Sequence, residues 1–331
     1  MGEGNVILKV EGVKRYFPVR KGFLFPKILG YVKATDNVSF ELREGEALGV
    51  VGESGCGKTT LGKLIIGLDD ATEGTITFMG QQMGTRMKRE ERQKIQMVFQ
   101  DPYSSLDPRM NVRRIIEEPL RIHTNLTSEE KLKTVKPLLE LVGLREDALE
   151  KYPHEFSGGQ RQRIGIARAL ALEPKLLVCD EPVSALDVSI QAQVLNLFKE
   201  LQKKKNLAYV FISHDMSVIR HVSDRIMVMY LGQVMESAPK RELFDHTRHP
   251  YSIALMDAIP VPDPQYRRRR KPLSGDIPSP IDAPKGCPFQ TRCPRAMDCC
   301  RESRPELHEV APEHFVACHL FDQTSKKAVN L

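Results

Sequence analysis

The chain has 331 residues, of which 41% are hydrophobic and 28% are charged, and its formal net charge is +6. This composition is typical of a globular protein with one large domain or two ordinary ones. Charge-free apolar stretches such as residues 226–235 have about half the length that a membrane-spanning helix needs, and the first residues do not resemble a signal peptide. We therefore expect a cytoplasmic protein, which would work at a membrane only by docking onto other chains.

The predicted elements alternate between strands and helices along most of the chain. Short apolar or β-branched runs predict strands at residues 5–10, 33–42, 47–51, 73–79, 95–99, 176–179 and 208–213. Apolar periodicity and amphipathic character predict helices at residues 58–67, 128–143, 158–172 and 190–204. Buried-type strands that alternate with helices indicate a parallel α/β core.

A glycine-rich loop lies between the third predicted strand and the first predicted helix, and it has the pattern of a phosphate-binding loop. Its glycines allow successive backbone N–H groups to face phosphate oxygens, and the helix N-terminus adds its dipole. Lys58 supplies a cation for the β- and γ-phosphates, and the Thr59 hydroxyl supplies a ligand for Mg²⁺. The predicted ATP ligands in this segment are Gly52, Glu53, Ser54, Gly55, Cys56, Gly57, Lys58, Thr59 and Thr60.

Two carboxylates end the apolar strand predicted at residues 176–179. Asp180, at the strand tip, is expected to hold Mg²⁺ directly or through water. Glu181 is expected to polarise the attacking water as a general base. An acidic strand end is common in structural roles, but the phosphate loop upstream favours the catalytic interpretation here.

The phosphate-loop residues and the two carboxylates resemble those of the ABC transporter ATPase family, and the resemblance covers the whole chain. Residues 156–160 look like the family's signature sequence, residues 184–187 look like its D-loop, and His214 looks like its switch histidine. Gln100 resembles the Q-loop glutamine, which contacts ATP and Mg²⁺. Tyr16 stands where the family places an aromatic ring on adenine, although the neighbouring Phe17 is an alternative.

The resemblance implies a fold, a domain division and a set of roles. The implied fold is α/β, an ABC-type P-loop NTPase with a RecA-like core, an N-terminal antiparallel β-subdomain, a helical subdomain at about 101–172 and a small cysteine-containing C-terminal domain. The nucleotide-binding domain would span 1–250, and a proline-rich linker with the cysteine cluster would span 251–331. The residues implied to contact ATP held by a partner ATPase subunit are Ser157, Gly158, Gly159 and Gln160. The implied D-loop residues are Ser184 and Asp187. The implied magnesium ligands are Thr59, Gln100 and Asp180, and the implied catalytic residues are Glu181 and His214.

Residues 249–260 are similar to the C-terminal extension of oligopeptide and dipeptide importer ATPases. Residues 17–30 and 100–108 look like the second, F-type ATPase of those systems. The implied function is ATP hydrolysis that energises uptake of di- and oligopeptides, with a second ATPase subunit, two permeases and an extracytoplasmic solute-binding protein as partners. The implied location is peripheral, on the cytoplasmic face of the bacterial inner membrane.

Two alternatives to the peptide importer remain open. Nickel or metal-chelate importers share much of the same pattern. A non-transport ABC ATPase that acts on nucleic acid or ribosomes usually carries two cassettes or a long coiled-coil insertion, and the chain shows one cassette without such an insertion. We therefore expect no nucleic-acid partner.

Five of the seven cysteines lie in the last 45 residues, and Cys56 and Cys179 stand alone. Such a cluster indicates metal or redox chemistry rather than a disulfide framework. The segment resembles the terminal motif of peptide-importer ATPases, several of which carry a four-iron, four-sulfur (4Fe–4S) cluster, and the family spacing selects Cys300 over Cys299. Zinc and unoccupied thiols remain alternatives. The implied iron ligands are Cys287, Cys293, Cys300 and Cys318.

Two further features carry separate expectations. Cys56 lies beside Lys58 at a helix N-terminus, which predicts a lowered thiol pKa and a reactive side chain, whereas Cys179 is expected to be a buried apolar residue. The basic run at residues 267–271 is interpreted as a solvated linker. Contact with anionic lipid headgroups is an alternative, and nucleic acid is the least favoured partner.

Overall fold

Two β-sheets form the framework of the computed structural model, which describes residues 5–22, 27–84, 87–259, 275–279, 281 and 283–322. The strands are β1 (Val6–Lys21), β2 (Lys27–Arg43), β3 (Ala47–Val51), β4 (Glu73–Phe78), β5 (Gln81–Gln82), β6 (Ile95–Val98), β7 (Leu176–Asp180), β8 (Ala208–Ser213), β9 (Arg225–Tyr230), β10 (Gln233–Pro239), β11 (His308–Ala311) and β12 (His314–Val316).

Helices surround these sheets. They are α1 (Lys58–Ile65), α2 (Arg89–Lys94), α3 (Pro102–Ser105), α4 (Val112–His123), α5 (Ser128–Leu141), α6 (Gly158–Leu170), α7 (Val188–Lys205), α8 (Met216–Val222), α9 (Lys240–Asp245), α10 (Pro250–Asp257) and α11 (Cys299–Glu302), with short 3₁₀ turns at Glu146–Glu150, Pro153–Glu155 and His319–Phe321. Among the helices in the described part of the chain, none has the length and apolar character needed to cross a bilayer.

The larger sheet has the strand order β11-β12-β10-β9-β3-β8-β7-β6. The strands from β9 to β6 run parallel, and the pairs from β11 to β9 run antiparallel. Every residue of β3, β7 and β8 is buried, as expected for parallel strands covered on both faces. Because the carboxyl ends of β3, β7 and β8 lie at the same edge, the segments that follow them meet there.

The smaller sheet is antiparallel, with the order β2-β1-β4-β5. The first two strands are much longer than the sequence predicts, because β1 runs from Val6 to Lys21 and pairs with β2 across the segment interpreted as an insert. Several register shifts interrupt this pairing, two of them around Arg15. Such irregularities change which side chains face each side of the sheet.

The predicted helical segment is present between β6 and β7. Its helix α5 begins with a capping box, in which the Thr127 hydroxyl accepts from the backbone N–H of Glu130 and the Glu130 carboxylate accepts from the backbone N–H of Thr127. Helix α4 was not predicted, since Pro119 interrupts its pattern, yet it buries Val112, Ile115, Ile116 and Leu120. Both helices pack with α6 to form this part of the core.

The C-terminal extension packs directly on the cassette. Strand β12 pairs with β10, where Glu236 lies opposite Val316, and Cys287, Phe289 and Cys300 belong to the same buried apolar cluster as the cassette core. The described part of the extension therefore shares a core with the cassette, and the predicted division at 250 and 251 stays a prediction. The basic run at 267–271 lies outside the described residues, as does much of the predicted proline-rich linker.

Candidate active site

A cleft of about 740 Å³ lies at the carboxyl edge of the parallel strands. Its wall brings together most of the predicted nucleotide ligands with Gln100, Glu181 and His214. The loop residues in the wall are Gly52, Glu53, Ser54, Gly55, Gly57, Lys58, Thr59 and Thr60. Residues that are far apart in the sequence thus line one cavity.

The backbone of the phosphate loop requires glycine at Gly57. This residue has a φ of 102°, and a Cβ there would collide with the carbonyl oxygen of Ala34. The turn leads into α1, so that Lys58 lies under the loop with its Nζ donating to the carbonyl oxygens of Gly52, over 2.7 Å, and Glu53, over 2.9 Å. The lysine ammonium is therefore held inside the loop, where phosphate oxygens are expected to bind.

Thr59 and Asp180 form the candidate magnesium site. The Thr59 hydroxyl donates to Asp180 Oδ1 over 3.1 Å. Burial raises the pKa of the Asp180 carboxyl, and the hydrogen bond from Thr59 opposes that rise. Hydroxyl and carboxylate oxygens are the ligands that Mg²⁺ prefers, so these two residues fit the ion that the sequence predicts.

Glu181 joins the remaining polar residues of the cleft. Gln100 Nε2 donates to Glu181 Oε2 over 3.1 Å, and His214 Nδ1 lies 3.0 Å from Glu181 Oε1. The Glu181 backbone has a φ of 45°, a left-handed conformation that is uncommon for glutamate, and its N–H donates to the Ile212 carbonyl. Strained backbone of this kind is concentrated at functional sites.

The predicted signature lies outside this cleft. Ser157 caps helix α6, where its hydroxyl accepts from the Gln160 N–H over 3.4 Å and its N–H donates to Gln160 Oε1 over 3.0 Å. Gly159 packs so closely on Ile190 that a Cβ there would collide with that side chain. None of these residues is among the described residues that line the cavity.

The predicted D-loop is positioned by the strand that carries the carboxylates. The Ser184 hydroxyl donates to the carbonyl oxygen of Glu181 over 3.1 Å. Asp187 precedes the first residue of α7 without capping it through its side chain. The D-loop therefore begins three residues after Glu181, and its backbone is connected to the catalytic segment by this hydrogen bond.

The structure places Phe17 in the wall of the cleft, whereas Tyr16 is not among the lining residues, so the assignment of Tyr16 to the adenine stays a prediction. The Tyr16 hydroxyl donates to Asp36 Oδ1, and Arg304 Nη1 donates to the other oxygen of Asp36 over 2.6 Å. Adjacent residues of a strand point to opposite faces. The geometry therefore favours Phe17, the alternative named above, as the ring that faces the cleft.

Cys56 also differs from its prediction. Its side chain is buried in the apolar cluster beneath the loop, and this burial raises the pKa of its thiol, with only partial compensation from Lys58. The prediction of a lowered pKa was wrong because it counted the helix dipole and the lysine but not the loss of water. Cys179 is buried as expected, and burial holds its pKa well above the ordinary value.

The C-terminal cysteines lie near one another. Cys287 donates its N–H to the Cys300 carbonyl over 2.8 Å. Burial raises the pKa of Cys318 to about 12, and the neighbouring Cys287, Cys293 and Cys300 add to that rise. Within the described segments, however, no three histidine, cysteine or acidic side chains are arranged to hold a metal ion. The thiols are thus gathered, but their arrangement does not by itself form a metal site.

Two residues that contact the phosphate loop, Arg292 and Tyr251, were missed by the sequence analysis. Arg292 forms two hydrogen bonds to the Glu53 carboxylate, and the Tyr251 hydroxyl accepts from the Glu53 N–H over 2.9 Å. Tyr251 belongs to α10, where the His249 ring accepts from the Tyr251 N–H. No short-range pattern announces a contact between residues 239 positions apart.

Two family models match the chain. The model described as ABC transporter matches residues 35–184. The model described as oligopeptide/dipeptide transporter, C-terminal region, matches residues 235–300. The second match begins within β10 and ends at Cys300, inside the cysteine segment, which is the stretch from Cys287 to Cys318.

Relatives and solved structures agree with these matches. The oligopeptide transport ATP-binding protein AppF of Bacillus subtilis is 55% identical, over 96% of this chain and 98% of that protein. The dipeptide transport ATP-binding protein DppF of Haemophilus influenzae is 49% identical, over 97% and 98%. The ATP-binding cassette MJ0796, solved as a post-hydrolysis dimer with ADP and Pi, is similar with a TM-score of 0.61 and 29% identity, over 71% of this chain and 99% of that chain. The cbiO1 protein from Clostridium perfringens gives a TM-score of 0.62 and 27% identity, over 73% and 91%.

Proposed function

Because the chain belongs to the ABC transporter family of ATPases, we propose that it hydrolyses ATP to energise the uptake of di- and oligopeptides by a bacterial importer. The observation that carries the proposal is the single cleft that contains the phosphate loop and the Glu181 carboxylate with its two polar neighbours. The transport proteins AppF and DppF support the choice of substrate, since they match along nearly their whole length.

The geometry of the cleft supports a specific division of roles. Lys58 and the loop N–H groups bind the β- and γ-phosphates, while Thr59 and Asp180 hold Mg²⁺, which neutralises phosphate charge. Gln100 is a further candidate ligand of that ion. Glu181 takes the proton of the attacking water. Gln100 and His214 hold the Glu181 carboxylate in the position from which it acts.

The location of the signature supports a composite site. Because Ser157 and its neighbours do not line the cleft of their own chain, we propose that they contact ATP held by a second ATPase subunit. The partner would be a different chain in a head-to-tail heterodimer. MJ0796, with a similar fold, was solved as a dimer with ADP and Pi. ATP at the interface would stabilise the closed pair by mass action.

A groove between the core and the helical segment is proposed to receive the permease. Its volume is about 450 Å³, and its wall includes the exposed apolar residues Leu68, Phe99 and Ile122. Gln100 contacts Glu181 and directly follows Phe99 in the chain. A movement of the Glu181 side chain would therefore be passed to this groove through Gln100. The complex would contain two permease subunits and a solute-binding protein, with this chain on the cytoplasmic face of the inner membrane.

Transport by the assembled complex tests the proposed function. Membranes that contain all subunits should accumulate labelled di- or oligopeptides when ATP is present, and the Lys58→Ala variant should abolish that uptake. Uptake of nickel without peptide would favour the metal importer. ATPase stimulation by nucleic acid or ribosomes, with no transport, would favour the non-transport ATPase.

We further propose that Cys287, Cys293, Cys300 and Cys318 bind a 4Fe–4S cluster. The proposal is supported by the resemblance of the segment and by the mutual proximity of the thiols. A brown, anaerobically purified protein with stoichiometric iron and sulfide is expected. A colourless protein that contains zinc or no metal would contradict it, and no step of ATP hydrolysis described above depends on the cluster.

A further inference from the structure

Arg292 extends from the cysteine segment to the phosphate loop. Its Nη1 donates to Glu53 Oε2 over 2.6 Å, and its Nη2 donates to Glu53 Oε1 over 3.0 Å. Nη1 also donates to the Tyr230 hydroxyl over 3.3 Å. Arg292 is only 7% exposed and the Glu53 side chain is 24% exposed, so the guanidinium side of this bidentate ion pair is shielded from water. Such a pair combines charge with a fixed geometry.

Glu53 is in contact with both the C-terminal extension and Lys58, the phosphate-loop lysine. Its N–H donates to the Tyr251 hydroxyl, and its carbonyl oxygen accepts from Lys58 Nζ over 2.9 Å. Its carboxylate is bound by Arg292. The second residue of the phosphate loop is therefore fixed through its N–H, its carbonyl and its side chain.

The carboxylate of Glu53 presents an electrostatic problem in this position. Glu53 lines the cleft that is proposed to bind the triphosphate, and like charges a few ångströms apart repel one another strongly where water is partly excluded. A guanidinium in contact with both carboxylate oxygens cancels that charge. Among the described residues, Arg292 is the one cation that forms an ion pair with Glu53.

We infer that Arg292 is a positioning residue for nucleotide binding, which neutralises Glu53 and fixes the phosphate loop from the C-terminal extension. The cysteine segment then forms part of the nucleotide site although it touches no phosphate. This inference rests on the proposed ATP binding. It assigns to the extension a role in the affinity for ATP.

The test compares the ATP affinity of Arg292→Gln, Arg292→Lys and the double variant E53Q/R292Q by calorimetry. Arg292→Gln leaves an uncompensated carboxylate beside the phosphates, so ATP should bind about tenfold more weakly. The double variant removes both charges and should recover most of that loss. Arg292→Lys keeps the charge and should stay within about threefold of the unmodified protein.

Steady-state kinetics distinguish a role of Arg292 in nucleotide binding from a purely structural role. In the assembled ATPase, Arg292→Gln should raise KM for ATP while kcat changes by less than about threefold, since uniform binding is lost. Arg295, an exposed arginine in the same segment, supplies the matched control. Arg295→Gln should bind ATP with unchanged affinity.

The outcomes separate this inference from the proposed function. Equal ATP affinity of Arg292→Gln and the unmodified protein would overturn the inference, as would a double variant no better than the single one. If Arg292→Gln does not fold, Glu53→Gln decides: it removes the repulsive charge and leaves the Arg292 guanidinium uncompensated near the phosphates, so it should bind ATP at least as tightly as the unmodified protein. Weaker ATP binding by that variant would also overturn the inference. Failure of the unmodified protein to bind ATP would instead overturn the proposed function.

Discussion

His214 Nδ1 lies 3.0 Å from Glu181 Oε1, while Gln100 Nε2 donates to the other oxygen of the same carboxylate. His214 follows β8 and Glu181 follows β7, so the pairing of these parallel strands fixes the distance. Their side chains differ in exposure, at 57% for the histidine and 17% for the glutamate. A mostly buried carboxylate is therefore held by an exposed histidine on one oxygen and by Gln100 on the other.

Substitution of His214 by alanine should slow hydrolysis more than it weakens binding. Loss of the contact leaves the Glu181 carboxylate free to rotate, and we expect kcat to fall by about 10²-fold with a small change in KM. Phosphate release by the assembled ATPase measures this effect. His221→Ala is the control, since His221 is bonded to Asn196 away from the cleft, and a comparable loss in that variant would contradict the role of His214.

Phe17, and not Tyr16, should contribute to adenine binding. Aromatic stacking is worth about 1 kcal/mol, so Phe17→Ala should weaken binding of ATP and ADP by about fivefold, as measured with a fluorescent nucleotide. Tyr16→Leu removes the neighbouring ring, whose hydroxyl bonds Asp36, and should leave the affinity nearly unchanged. The reverse pattern would restore the original assignment.

Cys56 should react slowly in the folded protein. Burial raises the pKa of this thiol, and the thiolate is the reactive form. Alkylation with iodoacetamide near neutral pH should be at least about tenfold slower than in the guanidinium-unfolded chain, as measured by mass spectrometry of the Cys56 peptide. Fast, stoichiometric modification of the folded protein would show that the thiol is activated after all.

His314 should make the stability of the extension depend on pH. Burial lowers the pKa of His314, but the hydrogen bonds to Glu236, over 2.7 Å, and Glu242, over 3.1 Å, outweigh this and raise the pKa above 6.5 despite the nearby Arg248. The folded protein therefore holds the proton more tightly than the unfolded chain. The stabilisation is complete below 6.5 and is lost as the pH rises through the raised pKa of the folded state.

The variant His314→Gln tests this dependence. It should lower the free energy of unfolding by about 3 kcal/mol at mildly acidic pH, because it leaves the buried Glu236 carboxylate without its cation, and by less at alkaline pH. Denaturant unfolding at both pH values measures the difference. His308→Gln, at an exposed position in the neighbouring strand β11, is the control, and an equal loss for His314→Gln at both pH values would exclude a titrating His314.

The parallel core and most of the cleft were predictable because short segments determine them. A buried strand followed by a glycine turn and a helix places Lys58 and Thr59, and an apolar strand that ends in two carboxylates places Asp180 and Glu181. The carboxyl ends of parallel strands meet at one edge, so these local patterns converge without further information. The structure places Gln100 and His214 in the same cleft.

The remaining features depend on long-range geometry. Which of Tyr16 and Phe17 faces the cleft depends on the phase of a strand whose pairing is irregular. The pKa of Cys56 depends on burial, which the neighbouring residues alone do not reveal. The pairing of Arg292 with Glu53 joins the two ends of the chain, and a single sequence contains no periodic signal for it.

The most direct test of the central claim is the association of this chain with the proposed partner ATPase in magnesium ATP. In the Glu181→Gln variant, ATP binds but its terminal phosphate is not cleaved, so the two subunits should remain associated in light scattering while phosphate release falls by about 10²-fold or more. The unmodified pair should associate only transiently and release phosphate. Unchanged turnover by Glu181→Gln, or an association that is the same with and without nucleotide, would contradict the account.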